Sequence, residues 1–252
     1  MGSVTRILVP YHLDEPLPGL DAPLTPEATL THDLDGDDVW DRLGGLYDDV
    51  AGAVAADVRA GQVPVVMSGD CTTSLGVVAG LQRAGVDPAI VWFDAHGDVQ
   101  TLETTTSGYL GGIPLRILAG YRPELISARL GLRPVAEEDI ALVDARDLDP
   151  PEREYLDGSA IQHLEAADVS AEVLAGRPVY LHLDLDVLGS DHLPGLLFPA
   201  PGGPSFAVLR DALARLMSTG RVVAVGLGCT WRPGEGTGER VRSELGATLA
   251  GG

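Results

Sequence analysis

Two short stretches of this sequence place acidic residues and a histidine at alternate positions. "WFDAHGD" contains Asp94, His96 and Asp98, and "YLHLDLDVLGSD" contains Asp184 and Asp186. Each stretch continues an apolar run. Burying a carboxylate in such a run costs free energy unless a cation neutralises it. Alternate side chains of an extended chain point to one face, and carboxylates combined with imidazole suit Mn²⁺ or another divalent transition metal. Either stretch alone could be a solvated turn, but together they predict a site for two metal ions.

A third apolar run, "VVMSGDC", ends at Cys71, one of only two cysteines in the chain. As a thiolate ligand, Cys71 would suit Zn²⁺ or Fe²⁺ better than Mn²⁺. It could instead be a small buried hydrophobe, or form a disulfide with Cys229, although a reducing cytosol disfavours the disulfide. A catalytic nucleophile would need an adjacent general base, and His96 is better explained as a metal ligand.

These residues follow strands in a regular βαβ alternation. Several of the runs are continuously apolar, as in parallel strands that helices cover on both faces, so we expect one α/β domain over residues 1–252 with a three-layer α/β/α arrangement. The predicted strands are residues 6–10, 64–69, 89–94, 140–146, 178–186 and 221–228. The predicted helices are residues 38–60, 73–84, 122–131, 168–175, 204–218 and 236–249. Ligands of open α/β sheets bind beyond the carboxyl ends of the strands.

The composition narrows the classes of partner. With 17 Lys and Arg against 37 Asp and Glu, the formal charge is -20, so the chain lacks the basic footprint of a nucleic-acid binder. The acidity either favours cationic substrates and metals or simply solubilises the surface. The N-terminus resembles no secretory signal, and no apolar run is long enough to span a bilayer. We therefore expect a cytoplasmic protein without nucleic-acid or membrane partners.

The order of these motifs resembles that of the ureohydrolases, which include arginase, agmatinase and formiminoglutamase. That family carries G-G-D-H, D-A-H-x-D and S-x-D-x-D-x-x-D-P in this order on a three-layer α/β/α fold. The counterparts here are "SGDC" (68–71), "DAHGD" (94–98) and "HLDLDVLGS" (182–190). The longer stretch "DAHGDVQTLETTTSGYLGGIP" also matches the arginase segment without a gap.

The resemblance implies two divalent ions, with Mn²⁺ expected and Zn²⁺ or Fe²⁺ as alternatives because of Cys71. Asp94 and Asp184 would bridge the ions, which would lower the pKa of a water that attacks a guanidinium carbon. The other metal ligands would be Cys71 and Asp98 at one ion and His96 and Asp186 at the other.

The resemblance also supplies candidates for substrate binding and catalysis. Ser107 and Gln100 correspond to the residues that bind the amino-acid end of the substrate, and Tyr109 is a further substrate-binding candidate. His192 and Tyr109 are candidate proton donors. We place Asp98, His192 and Cys229 among the candidate catalytic residues.

Four positions depart from the family pattern. Cys71 replaces a metal-binding histidine, Gly111 replaces a histidine thought to shuttle protons, and His182 replaces a serine. The carboxylate that holds the guanidinium on the last strand has no counterpart, since Cys229 or Thr230 occupies its neighbourhood. His12 could line the mouth of the site, although such a histidine is more often structural.

The leading hypothesis is a binuclear metal hydrolase that cuts the guanidino C–N bond of an arginine-like substrate. Relatives with cysteine at the first ligand position include a hydrolase of Nω-hydroxyarginine, so that compound, giving ornithine and hydroxyurea, is one candidate. The first alternative is a degenerate ureohydrolase that binds a ligand or partner without turnover. A deacetylase of related fold is a second alternative, which the retained "TTTSG" disfavours. Each of these hypotheses is compatible with a homo-oligomer.

Overall fold

A parallel β-sheet of eight strands runs through the centre of the structure, a computed structural model that describes residues 3–250. The strands of the described residues are β1 (Val4–Val9), β2 (Tyr11–His12), β3 (Glu15–Pro16), β4 (Ala28–Thr29), β5 (Val63–Ser68), β6 (Ala89–Asp94), β7 (Ile140–Asp144), β8 (Gln162–Leu164), β9 (Val179–Asp184) and β10 (Val222–Gly228). The sheet order is β4-β1-β5-β10-β9-β6-β7-β8, and β2 and β3 form a separate antiparallel hairpin.

Helices cover both faces of this sheet. They are α1 (Val39–Arg59), α2 (Ser74–Arg83), α3 (Pro114–Leu118), α4 (Ser127–Leu130), α5 (Pro150–Gly158), α6 (Phe206–Ser218) and α7 (Thr237–Leu249). Apolar side chains of α1 to α5 pack on one face, and those of α6 and α7 pack on the other. Within residues 3–250, none of these helices combines the length and the apolar character needed to cross a membrane.

The two hydrophobic cores follow from the alternation of side chains along each buried strand. In β6, Ile90 and Trp92 belong to the core beneath α1 and α2, whereas Val91 and Phe93 belong to the core beneath α6 and α7. All six residues of β6 are buried, as expected for a parallel strand between two helical layers. The predicted three-layer α/β/α architecture is confirmed.

The six predicted strands and the four longest predicted helices are confirmed, with small differences at their ends. The predicted helix at 122–131 is reduced to the single turn α4. The predicted helix at 168–175 is wrong. The Arg221 guanidinium binds the carbonyl oxygens of Ala171, Val173 and Leu174 at 2.7–2.9 Å, so these groups are held by a side chain instead of helical hydrogen bonds.

The central strands bring distant parts of the sequence to one edge of the sheet. β5, β10, β9 and β6 are neighbours in that order and run parallel. Cys71 follows β5 closely, and Asp94 and Asp184 end β6 and β9. Because all carboxyl ends of a parallel sheet lie at one edge, these three side chains converge there.

Two glycines allow α2 to pack closely against α1. A Cβ on Gly76 would lie 2.8 Å from the Tyr47 carbonyl oxygen, and a Cβ on Gly80 would lie 2.7 Å from both the Ala51 carbonyl oxygen and Val54 Cβ. The obstructing atoms include backbone, which cannot move aside without shifting a helix. This close approach fixes α2, which begins three residues after Cys71.

We expect Gly80→Ala to lower the free energy of unfolding by about 1–3 kcal/mol, because the added methyl group overpacks the helix interface. Gly52→Ala is the matched control, since Gly52 is exposed on α1 and nothing lies within 4 Å of its added Cβ. That substitution should stabilise the protein by about 0.5–1 kcal/mol through helix propensity. Urea denaturation of both variants measures the difference, and equal midpoints would contradict the packing argument.

Candidate active site

Three strand ends carry the same local turn, in which an aspartate accepts a hydrogen bond from the backbone two residues later. Asp94 Oδ1 accepts from His96 N at 2.7 Å, and Asp184 Oδ1 accepts from Asp186 N at 2.9 Å. Asp70 Oδ1 accepts from Thr72 N at 2.8 Å. Such Asx turns reverse the chain directly after a strand. They fix the Oδ1 atom of each carboxylate. Asp94 Oδ2 and Asp184 Oδ2 lie 3.9 and 2.9 Å from Cys71 Sγ, whereas Asp70 Oδ2 accepts from Leu13 N at 2.6 Å.

The extended conformation that the alternate spacing suggested ends with each strand. Residues Leu185–Val187 form a 3₁₀ turn, and Asp98 adopts a left-handed backbone with φ of 53°. Aspartate tolerates this region better than most residues, and such conformations cluster at functional sites. The side chains therefore converge through turns rather than through one continuous strand face.

Two groups of potential metal ligands share Asp94. In the first, His96 Nδ1 lies 3.3 Å from Asp94 Oδ1 and 3.2 Å from Asp186 Oδ2. In the second, Cys71 Sγ lies 2.9 Å from Asp184 Oδ2 and 3.9 Å from Asp94 Oδ2. One ligand atom each from Asp94, His96 and Asp186 lies within 4.8 Å of the other two, and the same holds for Cys71, Asp94 and His182.

The carboxylates of the site are buried and repel one another. Burial and the charge of Asp186 raise the pKa of Asp184 to about 7. Burial and the charge of Asp94 raise the pKa of Asp186 to about 6. Burial and the charge of Asp94 also raise the pKa of Asp98 well above its usual value. Burying several carboxylates this close together is energetically costly unless cations neutralise them. The arrangement therefore suits bound cations.

His96 and Cys71 respond to this negative field in different ways. Burial lowers the pKa of His96, but hydrogen bonds to Asp186 and Asp94 outweigh burial and raise it to about 12. Burial and the Asp184 charge raise the pKa of the Cys71 thiol, which donates to Asp184 Oδ2; a bound cation would reverse that effect.

The donor set fits two divalent cations. Asp98 Oδ2 is buried and has no hydrogen-bond partner among the described residues, so this oxygen has an unmet need for a donor or an ion. The structure brings the six residues predicted as metal ligands to one cavity: Cys71, Asp94, His96, Asp98, Asp184 and Asp186.

That cavity has a volume of about 410 Å³ and opens beyond the carboxyl ends of β5, β6 and β9. Gln100, Ser107 and Tyr109, the candidates for substrate binding, line it. Gln100 is already engaged, because its Nε2 donates to Asp149 Oδ2 at 2.8 Å. Ser107 is exposed at the rim.

Two predicted catalytic candidates lie outside the residues that line this cavity. His192 is exposed and packs beside Phe206, with ring centroids 6.1 Å apart. Cys229 is buried in the core beneath α6 and α7, and both cysteines are free thiols. Thr230 faces the cavity instead, where its hydroxyl donates to Asp184 Oδ1 at 2.8 Å.

The structure adds cavity residues that the sequence analysis missed. Asp149 and Glu152 line one wall and form a capping box at the start of α5. The sequence "DPPE" carries the signal, since an N-cap aspartate, prolines in the first turn and a glutamate at N3 are typical of a helix start. Phe198 lines the opposite side, 37% exposed, and its ring centroid lies 4.9 Å from that of Tyr109.

Comparison with known proteins agrees with this arrangement. A sequence profile of the arginase family matches residues 24–229. The chain belongs to the arginase family. It is 33% identical to the arginase of Bacillus subtilis (strain 168) over 174 residues, which are 64% of this chain and 59% of that protein. It is 32% identical to the arginase of Eremothecium gossypii over 192 residues, which cover 69% of this chain and 47% of that protein.

Solved structures share the fold over nearly the whole chain. A crystal structure of arginase from Bacillus subtilis superposes with a TM-score of 0.86 at 23% identity and covers 99% of each chain. Proclavaminate amidino hydrolase from Streptomyces clavuligerus superposes with a TM-score of 0.73 at 18% identity, covering 99% of this chain and 91% of that one. At these identities the structural likeness shows the fold alone. The aligned sequence segments, by contrast, span less than two thirds of the curated relatives named above.

We expect the metal-free protein to lose stability as the pH rises from 5 to 8. The carboxyl pKa values are raised from 3.8 to about 6 and about 7 in Asp186 and Asp184, so the folded state binds more protons than the unfolded state. Their stabilising contribution is complete below the unfolded pKa and is lost as the pH passes 6 and 7. The raised pKa of His96 acts in the same direction above 6.5.

Differential scanning fluorimetry of chelator-treated protein should show the melting temperature falling by about 5 °C over this range. Asp184→Asn should reduce the fall, and saturating Zn²⁺ should reduce it as well by neutralising the carboxylates. A melting temperature that rises equally in wild type and Asp184→Asn would contradict the electrostatic account.

Proposed function

We propose that this protein hydrolyses the guanidino C–N bond of an arginine-like compound with the help of two divalent metal ions. One observation carries the proposal. Two groups of potential metal-ligand atoms share Asp94, and Asp94 lines the cavity described above. Membership of the arginase family supports it. The products would be an amine such as ornithine and urea, or hydroxyurea if the substrate is Nω-hydroxyarginine.

The chain's own residues would hold the ions and the substrate. Cys71, Asp94, Asp98 and Asp184 would hold one ion, and Asp94, His96, Asp184 and Asp186 the other. When bound, the ions would supply Lewis-acid polarisation and lower the pKa of a water molecule. Mn²⁺ is the ion expected from the family resemblance, and the thiol favours Zn²⁺ or Fe²⁺.

The cavity walls suit a substrate with a planar cation at one end and polar groups at the other. The rings of Tyr109 and Phe198 form an aromatic surface on which a guanidinium and its alkyl chain can pack. Asp149, Gln100 and Ser107 lie on the lining as polar groups for the amino-acid end. Thr230 is committed to Asp184, so the walls rather than a carboxylate on the last strand would orient the guanidinium.

Tyr109 takes the place of the side chain that Gly111 lacks. A Cβ on residue 111 would overlap the Tyr109 ring, so the phenol occupies the volume into which a histidine at 111 would project. The Tyr109 hydroxyl lies 3.3 Å from His12 Nε2, and His12 Nδ1 lies 2.9 Å from the Gly69 carbonyl oxygen. Burial and the charge of Asp70 raise the pKa of Tyr109 above its usual value, so the phenol is neutral and its O–H can donate a hydrogen bond to a leaving group.

A substrate panel tests the proposed reaction. Metal-free protein is supplied separately with Mn²⁺, Zn²⁺ and Fe²⁺ and assayed with arginine, Nω-hydroxyarginine, agmatine and 4-guanidinobutyrate, following amine and urea or hydroxyurea release. We expect turnover of at least one substrate, and a loss of about 10³-fold or more in Asp94→Asn, because that change removes a ligand from both groups.

Arg6→Gln is the control, since Arg6 lies on β1 away from the cavity and pairs with Glu27. Metal binding without turnover of any guanidine would favour the alternative of a degenerate ureohydrolase that only binds. The replaced positions 71 and 111 motivate that alternative, and Cys71→His with raised Mn²⁺ affinity but no activity would strengthen it.

Tyr109→Phe tests the proton donor. We expect kcat to fall by about 10²-fold with a smaller change in KM, because the ring still fills the cavity wall while the donor is lost. Tyr121→Phe is the matched control, since the Tyr121 hydroxyl binds Glu103 at the surface. An unchanged kcat in Tyr109→Phe, measured at saturating substrate, would assign the proton to another group.

A further inference from the structure

His182 lies on β9, two residues before Asp184, and its side chain is held firmly in the core. The residue is 2% exposed, and its ring stacks on Trp92 with centroids 3.7 Å apart. The Ser74 hydroxyl lies 3.0 Å from His182 Nδ1, and the Tyr180 hydroxyl lies 3.2 Å from the same nitrogen. These contacts fix the orientation of the ring and occupy one of its two nitrogens.

The other nitrogen, Nε2, has no hydrogen-bond partner within the described part of the chain. A buried histidine normally satisfies both nitrogens, so an unpaired one calls for an explanation. The Tyr180 hydroxyl donates to Ser74 Oγ, which leaves lone-pair capacity on Oγ to accept from Nδ1–H. In that tautomer Nε2 carries a lone pair, the form in which imidazole binds metal ions.

The unpaired nitrogen belongs to a residue that lies against the metal ligands. One ring nitrogen of His182, Cys71 Sγ and a carboxylate oxygen of Asp94 lie within 4.8 Å of one another. Zinc bonds to nitrogen, oxygen and sulfur are about 2.0–2.3 Å long, so a single ion could contact all three atoms once the side chains close in on it. A metal-bound histidine also typically donates its second N–H to an orienting group, and Ser74 Oγ, 3.0 Å from His182 Nδ1, can accept such a bond.

We infer that His182 is a metal ligand through Nε2, and that with Cys71 and Asp94 it forms a thiolate–imidazole–carboxylate site. The inference rests on and deepens the proposed function, since it adds a ligand to the ion that Cys71 would hold. On binding, the Cys71 thiol releases its proton to solvent. This donor set favours Zn²⁺, Co²⁺ or Fe²⁺ over Mn²⁺, because thiolate and imidazole are softer than carboxylate.

Two of the departures from the family pattern are related if His182 binds the ion. Position 71 has a cysteine where the family pattern has histidine, and position 182 has a histidine where that pattern has serine. The imidazole thus moves from the end of β5 to β9, and the shorter cysteine leaves room for it.

The competing interpretation is a structural core histidine. A small cavity of about 10 Å³, lined by Ser74, Tyr180 and His182 among others, is close to the volume that a single buried water needs. A water at that place would make His182 part of a polar network with no contact to a metal ion. Under this interpretation, replacing His182 changes stability and leaves metal affinity and metal spectra unaffected.

Co²⁺ and Zn²⁺ binding to the full-length, chelator-treated protein separates the two interpretations. In the wild type, Co²⁺ should give a thiolate-to-metal charge-transfer band in the near ultraviolet together with visible d–d bands. Cys71→Ser should abolish the charge-transfer band. His182→Gln should retain that band, alter the position and intensity of the d–d bands, and weaken Zn²⁺ affinity in chelator competition by about 100-fold or more.

His32→Gln is the matched control, since His32 pairs with Asp49 at the surface, and its Zn²⁺ affinity should equal that of the wild type. If His182→Gln binds Zn²⁺ within about threefold of the wild type and leaves the Co²⁺ spectrum unchanged, the inference is overturned. If that variant does not fold, an anomalous difference map of wild-type crystals soaked with Zn²⁺ decides the matter. An ion bonded to Nε2 supports the inference, and an ion bonded only to the other ligands overturns it.

These measurements do not depend on catalysis. Co²⁺ coordination by His182 without turnover of any guanidine would sustain the inference while the proposed function fails. Turnover with an unaltered metal site in His182→Gln would sustain the function while the inference fails.

Discussion

The burial of several carboxylates at one edge of a parallel sheet is the constraint around which this structure is organised. Asp94, Asp184 and Asp186 are each at most 2% exposed, and the free-energy cost of burying three negative charges side by side is large. Burial and mutual repulsion raise the pKa of Asp184 to about 7 and that of Asp186 to about 6, and the Cys71 thiol donates to Asp184 Oδ2. A cluster of this composition suits bound cations, which neutralise buried carboxylates.

The rest of the fold makes that cluster rigid. Asx turns at the ends of β5, β6 and β9 fix one oxygen of Asp70, Asp94 and Asp184 to the backbone, which restricts the rotation of these carboxylates. The glycine-mediated contact of α2 with α1 holds the segment after Cys71, and Ser74 in its first turn reaches the ring of His182. Pre-organisation of this kind lowers the entropic cost of binding an ion.

The departures from the family pattern are compensated by neighbouring side chains. The ring of Tyr109 fills the space beside Gly111, Thr230 binds the outer side of Asp184, and the imidazole absent from position 71 is present at position 182. Under the proposed function, Tyr109 would supply a proton donor and His182 a nitrogen donor, while the Thr230 hydroxyl donates to Asp184. These roles would favour an altered specificity over a loss of chemistry.

The sequence by itself determined the fold class, the six central strands and the six metal-ligand candidates, because each of these is encoded locally. Apolar runs define buried strands, and the D-A-H-G-D and D-L-D spacings keep the ligands within a few residues of a strand end. It did not determine that Cys229 and His192 lie away from the cavity, that Asp149 and Glu152 line it, or that the 168–175 segment is held by Arg221. Only the tertiary structure decided these points, since they depend on contacts between residues far apart in the chain. Cys71 and Asp184, which are 113 positions apart, meet because parallel strands gather their carboxyl ends at one edge, and side-chain packing there chooses which neighbours face the cavity.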